Sequence, residues 1–272
     1  MSGIAGYWRK HGIYGAEVLT SMTDAVTHRG PDYAGYWHDP DAGLSLGHRR
    51  LSIIDLSPEG HQPMISASDR YVIVFNGEIY NFSELRRDLE PTGFHFRGHS
   101  DTEVMLAAIE AWGLVASVKR FIGMFAFALW DRETRQLSLV RDRLGIKPLF
   151  YGWICGALGF GSELKVLRAV PGFDNPVNRN ALALLLRHNY LPAPYSIYEG
   201  IYKLMPGKIL QLDADAVSVP QTLEDLSKRT VTYWSAREIV EQGASQRYDG
   251  SASEAVQQLD ALLRNAIGMR MV

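Results

Sequence analysis

The chain has 272 residues, of which 46% are hydrophobic and 21% charged; this is the composition of a folded globular protein and excludes a disordered one. Its 28 basic and 30 acidic residues leave a net charge of −2 with no basic stripe, which argues against nucleic acid or an anionic lipid surface as partner. The longest apolar runs, such as Phe125–Trp130, are too short to span a bilayer, and the first ten residues lack the order of a signal peptide. With one cysteine, Cys155, no internal disulfide can form, so a cytoplasmic protein is expected.

In chain order, Ile4–Trp8 reads as a strand close to the N-terminus, and Leu44–Ile54 as a strand followed by a turn. Tyr71–Phe75 is a short apolar strand that Asn76-Gly77 is expected to break. Phe82–Leu89 and Thr102–Trp112 have helical spacing, with Ser100 or Asp101 placed to cap the second. Phe125–Trp130 and Leu137–Arg141, joined by a polar turn, predict a hairpin, as do Leu149–Trp153 and Leu158–Phe160. A helix over Ser162–Arg168 follows. Beyond Asp213 the texture becomes polar and irregular, anchored by Tyr233-Trp234, until Glu254–Val272 resumes a clear amphipathic period without a stop signal. Alternating strands and helices point to a layered α/β or α+β domain.

Four constellations could carry chemistry. Ser2 would become a terminal nucleophile if Met1 were removed, with its own α-amine as general base. Asn76-Gly77 is first a turn signal, but a side-chain amide beside a glycine N–H can also form an oxyanion hole, and Glu78 adds a carboxylate. Arg50 could clamp a carboxylate, or be one of a solvated pair with Arg49. Asp101 could cap a helix or, with Glu78, hold an ammonium group. His95 and His99 are four apart, but Phe96-Arg97-Gly98 between them is not helical and no third ligand stands out, so no metal is expected.

These segments, together and in order, resemble the glutamine-hydrolysing half of asparagine synthetase, a class II glutamine amidotransferase and N-terminal-nucleophile hydrolase. The resemblance is carried by Ser2–Gly6, His28–Asp32, Arg50–Asp55, Asn76–Asn81, His99–Glu103, Gly123–Ala128, Arg141–Leu149 and Gly161–Lys165. It implies an α+β fold, a four-layer αββα sandwich of two antiparallel sheets. It implies Ser2, Asn76 and Gly77 as catalytic, with Asn76 and Gly77 also contacting glutamine. Arg50 would bind the glutamine carboxylate, the backbone of Leu51, Ser52, Ile53 and Ile54 would line the pocket, and Glu78 and Asp101 would hold the α-ammonium. Arg141–Leu149 reads as structural support.

Two features depart from the family. Its nucleophile is cysteine, and a hydroxyl is far less acidic than a thiol, so Ser2 is expected to bind glutamine but turn it over poorly. The Ser-Gly-Gly-x-Asp-Ser loop of the aspartate-activating domain does not occur. The expected organisation is an amidotransferase domain over 2–213, a linker over 214–250, and the first helix of a truncated ATP-dependent synthetase domain over 251–272. No cofactor is expected for the first domain; ATP and Mg belong to the missing one. The implied partners are L-glutamine, a synthetase domain fused at the C-terminus and, as an open expectation, a second copy in a homodimer. Alternatives are an inactive glutamine-binding or structural module, a serine-type hydrolase of another amide, or an amidotransferase serving another acceptor such as a surface sugar.

Overall fold

The computed structural model describes residues 2–52 and 57–271. In chain order the strands are Gly3–Arg9 (β1), Tyr33–Asp39 (β2), Leu44–Arg50 (β3), Met64–Ile65 (β4), Tyr71–Ile79 (β5), Gly123–Asp131 (β6), Gln136–Arg141 (β7), Phe150–Ile154 (β8), Ala157–Gly161 (β9), Ile201–Lys203 (β10), Lys208–Leu212 (β11) and Thr230–Thr232 (β12). The α-helices are Ala16–Asp24 (α1), Phe82–Leu89 (α2), Asp101–Trp112 (α3), Leu114–Arg120 (α4), Leu164–Arg168 (α5), Arg179–His188 (α6), Ala214–Val217 (α7), Leu223–Lys228 (α8), Ala236–Ser245 (α9) and Ala252–Gly268 (α10).

The strands form two six-stranded sheets, ordered β10-β8-β9-β1-β3-β2 and β12-β11-β7-β6-β5-β4, and every pairing is antiparallel. Period-2 alternation makes each central strand apolar on both faces, so three cores stack through the molecule. Ile4, Trp8, Leu44, Leu46, Val72, Val74, Ala126 and Trp130 meet between the sheets. Ala5 and Tyr7 face outward against Leu19 and Met22 of α1 and Val166 of α5. Ile73, Phe75 and Phe127 face outward on the other side, against Leu85 of α2, Met105 of α3 and Val118 of α4. The result is the helix–sheet–sheet–helix sandwich that the resemblance implied.

Both expected hairpins form, as β6–β7 and β8–β9. One local expectation fails. Asn76-Gly77 makes no turn: β5 runs unbroken to Ile79, paired residue for residue with β6 from Tyr71↔Asp131 to Ile79↔Gly123. A nine-residue partner strand outweighs a two-residue turn preference. The cap of α3 is Ser100, whose Oγ accepts the Thr102 N–H at 3.1 Å, and Asp101 is the first helical residue.

Residues 214–234, expected as linker, pack on the sandwich. Ala216, Val217 and Leu226 join the inter-sheet core, Tyr233 joins the outer one, and β12 extends the second sheet along β11. Four well-placed apolar residues in a polar stretch suffice to hold it down. The amphipathic helix at the end forms as α10, opened by a reciprocal cap between Ser251 and Glu254. Its Val256, Leu259, Leu263 and Ile267 are exposed.

Candidate active site

The site lies where the inter-sheet core stops being apolar. Along β1 the inward face reads Ile4, then Ser2 just before the strand. Along β3 it reads Leu44, Leu46, His48, Arg50. Along β5 it reads Val72, Val74, Asn76, Glu78, and along β6 Ala128, Ala126, Met124. Four strands thus change from apolar to polar at the same level, and the space they leave is a pocket between the sheets. The same alternation separates the two arginines. Arg49 points outward and pairs with Asp24, while Arg50 points inward, is 7% exposed and donates to the Ser57 carbonyl at 2.9 Å.

The edge of β5 supplies the pocket wall. Its neighbour β4 covers only Val72 and Ile73, so the later N–H groups need other partners. Phe75 N–H donates to Gln62 Oε1 at 2.6 Å, and Ile79 N–H donates to Asp101 Oδ2 at 2.9 Å. On the opposite side of this pair, Phe125 directs both backbone groups to Asp142 rather than to Gly77. Gly77, between Phe75 and Ile79, therefore aims its N–H the way theirs point, into the pocket. A Cβ at Gly77 would lie 2.3 Å from the Met124 carbonyl oxygen and 2.7 Å from the Phe125 Cα, so only glycine fits this strand spacing.

Beside it, Asn76 is 1% exposed, and neither its Nδ2 nor its Oδ1 has a partner among the described residues. A buried primary amide left unpaired is costly, about 1–3 kcal/mol per group, and marks a place where a ligand completes the bonding. Ser2 faces the same space. Its Oγ accepts the Leu51 N–H at 3.3 Å, and its carbonyl accepts from Arg29 Nε at 3.1 Å. Arg29 is fixed in turn by Glu163 at 3.0 Å. The Leu51 N–H would stabilise negative charge developing on that oxygen.

Two carboxylates stand on the far side. Asp101 is buried at the N-terminal turn of α3, and burial raises it to about 6 despite the Ile79 N–H that opposes the shift. Burial likewise raises Glu78, with Lys147 and Arg270 pulling it back down. The Glu78 charge adds to the rise at Asp101, and a cationic group between the two would relieve it.

Of the residues expected from sequence, Ser2, Arg50, Leu51, Asn76, Gly77, Glu78 and Asp101 gather around this pocket. Ser52 does not line it; its N–H is turned to Asp32 Oδ2 at 2.9 Å. Ile53 and Ile54 lie outside the described residues. Sequence reasoning missed His48, Gln62 and Lys147, which also line the pocket. Extending the inward face of β3 by one alternation step would have found His48. Lys147 is presented by a tightly built loop: the Asp142 carboxylate accepts backbone N–H groups from Phe125, Leu144, Ile146 and Lys147, and Arg141 donates to the carbonyls of Gly145, Lys147 and Leu204. Burial holds its ammonium below the usual lysine value, and Arg29 adds to that effect. The structural support expected of Arg141–Leu149 therefore also carries a pocket side chain.

The sandwich thus places a serine hydroxyl at the head of an inner strand in one pocket with an unpaired amide on the opposite sheet. The chain belongs to the glutamine amidotransferase domain family, which matches residues 1–223. It is 38% identical over 219 residues to asparagine synthetase [glutamine-hydrolyzing] 1 of Bacillus subtilis, covering 79% of this chain and 34% of that protein. It is 31% identical over 277 residues to asparagine synthetase [glutamine-hydrolyzing] 3 of the same organism, covering 100% of this chain and 42% of that one. The chain thus spans well under half the length of these relatives. The fold is also that of glutamine phosphoribosylpyrophosphate amidotransferase from Bacillus subtilis, with a TM-score of 0.58 at 20% identity over 78% of this chain and 47% of the other. Among the described residues no helix is long and apolar enough to cross a membrane.

Proposed function

We propose that this chain binds free L-glutamine in the inter-sheet pocket and, as part of a longer protein, releases ammonia for the ATP-dependent amidation of aspartate. The α-carboxylate goes to Arg50 and the α-ammonium to Glu78 and Asp101. The amide carbonyl goes to Asn76 Nδ2 and the Gly77 N–H, and Ser2 Oγ stands as the attacking atom. In attack, Oγ adds to the amide carbon as its proton leaves to a base. The carbonyl oxygen gains charge in the oxyanion hole, the base returns the proton to the amide nitrogen, and collapse breaks the C–N bond to release ammonia and leave an ester on Ser2. Water then cleaves the ester to give glutamate.

The observation that carries this reading is the unpartnered Asn76 amide, buried opposite Ser2 beside an inward glycine N–H. An inert structural module has no need to leave both ends of a buried amide unpaired. For Ser2 to supply its own base, Met1 must be absent, because a nitrogen in the Met1–Ser2 peptide bond is not basic. Intact-mass measurement checks this. We further propose that the amidotransferase domain runs from residue 2 through β12, past the boundary at 213 expected from sequence, and that 251–272 begins a synthetase domain.

Ammonia release from glutamine tests the function directly. Wild-type chain should be slow, and Ser2→Cys should be at least about a hundredfold faster, since a thiol gives up its proton to an amine far more readily. A Ser2→Cys protein with Met1 removed that binds glutamine yet releases no ammonia would sink the enzymatic reading and leave the binding module.

A further inference from the structure

His48 is fully buried at the floor of the pocket, on the inward face of β3 between Leu46 and Arg50. Its Nε2 lies 2.9 Å from the Phe75 carbonyl oxygen of the facing sheet. A carbonyl can only accept, so Nε2 carries the hydrogen. Burial holds the imidazole down at about 4, so near neutral pH the ring carries no second hydrogen. Nδ1 is therefore a bare acceptor, and it has no partner among the described residues.

The lining of the pocket thus holds unpaired side-chain atoms of both kinds, Asn76 Nδ2 as a donor and Asn76 Oδ1 and His48 Nδ1 as acceptors, with Gly77 beside them. A primary carboxamide presents the complementary set, a carbonyl oxygen that accepts and an NH₂ that donates twice. A carboxylate offers acceptors alone, and an ester offers no donor. Either would leave His48 Nδ1 buried against a lone pair. Discrimination by stranding a buried polar group is stronger than discrimination by size.

We propose that His48 is the residue that selects the amide end of the ligand, its Nδ1 accepting an N–H from the carboxamide nitrogen. This rests on the glutamine reading above. It makes His48 a specificity-determining residue that also holds the nitrogen in a fixed orientation as the C–N bond breaks.

Calorimetric titration at pH 7.5 with L-glutamine, L-glutamate and L-glutamic acid γ-methyl ester tests it. The wild type should bind glutamine at least tenfold more tightly than the other two. His48→Gln can keep a donor to the Phe75 carbonyl but removes the Nδ1 acceptor, and the glutamine-to-ester ratio should fall at least tenfold. His48→Asn, which returns an acceptor near the Nδ1 position, should recover part of it. A folded His48→Gln protein with the wild-type ratio overturns the proposal. If neither variant folds, histidine ¹⁵N spectra of the wild type decide. The Nδ1 resonance of the buried neutral histidine should move on adding glutamine and stay put with the ester; no movement with bound glutamine overturns it. Absence of any glutamine binding by the wild type would instead remove the functional reading on which the proposal rests.

Discussion

Asp101 and His48 are both buried and both shifted, and they act on stability in opposite directions. Asp101 rises from 3.8 to about 6, so the folded chain holds that proton more tightly than the unfolded one. Its contribution is present at low pH and is lost as pH rises from about 4 through 6, on the order of 3 kcal/mol in all. His48 falls from 6.5 to about 4, so the unfolded chain binds the proton more tightly, and stability grows as pH rises through the same window. In the wild type the two slopes largely cancel. Asp101→Asn can still accept the Ile79 N–H, and it should expose the His48 slope alone. Urea midpoints from pH 4 to 7.5 should then climb steeply, and the variant should be more stable than wild type at pH 7.5. It should also bind glutamine at least tenfold more weakly, since the ammonium loses a counter-charge. For the wild type, glutamine affinity should drop by about tenfold per unit as pH falls below about 6. A flat binding profile there would show that Asp101 does not hold the ammonium.

Among the elements, β5 decides the site, because one strand supplies Asn76, the Gly77 N–H and Glu78. Its geometry depends on β6 lying close enough to exclude any side chain at position 77. Gly77→Ala should push the two strands apart at the proposed oxyanion hole, costing about 1–3 kcal/mol of stability. It should abolish glutamine binding even where the protein still folds. Chemical denaturation gives the first quantity and calorimetry the second; a Gly77→Ala protein that binds normally would show that the Gly77 N–H is not part of the hole. The strand also shows how local preference yields to pairing. Asn-Gly after an apolar run is a strong turn signal, but the signal measures only local torsional ease. It carries no information on whether a nine-residue partner, Gly123–Asp131, waits on one side. The two hairpins and the helices α2 and α3 were legible because their patterns are local. By contrast β12, which pairs with β11 some twenty residues earlier, left only Tyr233-Trp234 as a trace.

Across the molecule, three stacked cores extend through residue 234, while α9 and α10 contribute no buried residue. The connection between them is exposed throughout. Trypsin should therefore cut at Arg247 well before any site in the sandwich, and the larger fragment should keep a single cooperative unfolding transition. Cleavage within β1–β12 at a comparable rate would refute that division. Period, turn chemistry and charge type are written along the chain. From them follow a layered α/β or α+β domain, the positions of most strands, and the presence of an arginine and two carboxylates that could meet a free amino acid; the α+β sandwich followed from the family resemblance. Which polar residues share a cavity is not written there. Ser2, His48, Arg50, Asn76 and Asp101 are distant in sequence, and they meet because two sheets pack face to face and four strands exhaust their apolar residues at one level. Packing likewise leaves Asn76 and His48 with unpaired polar atoms, since a partner's absence depends on everything folded around a group.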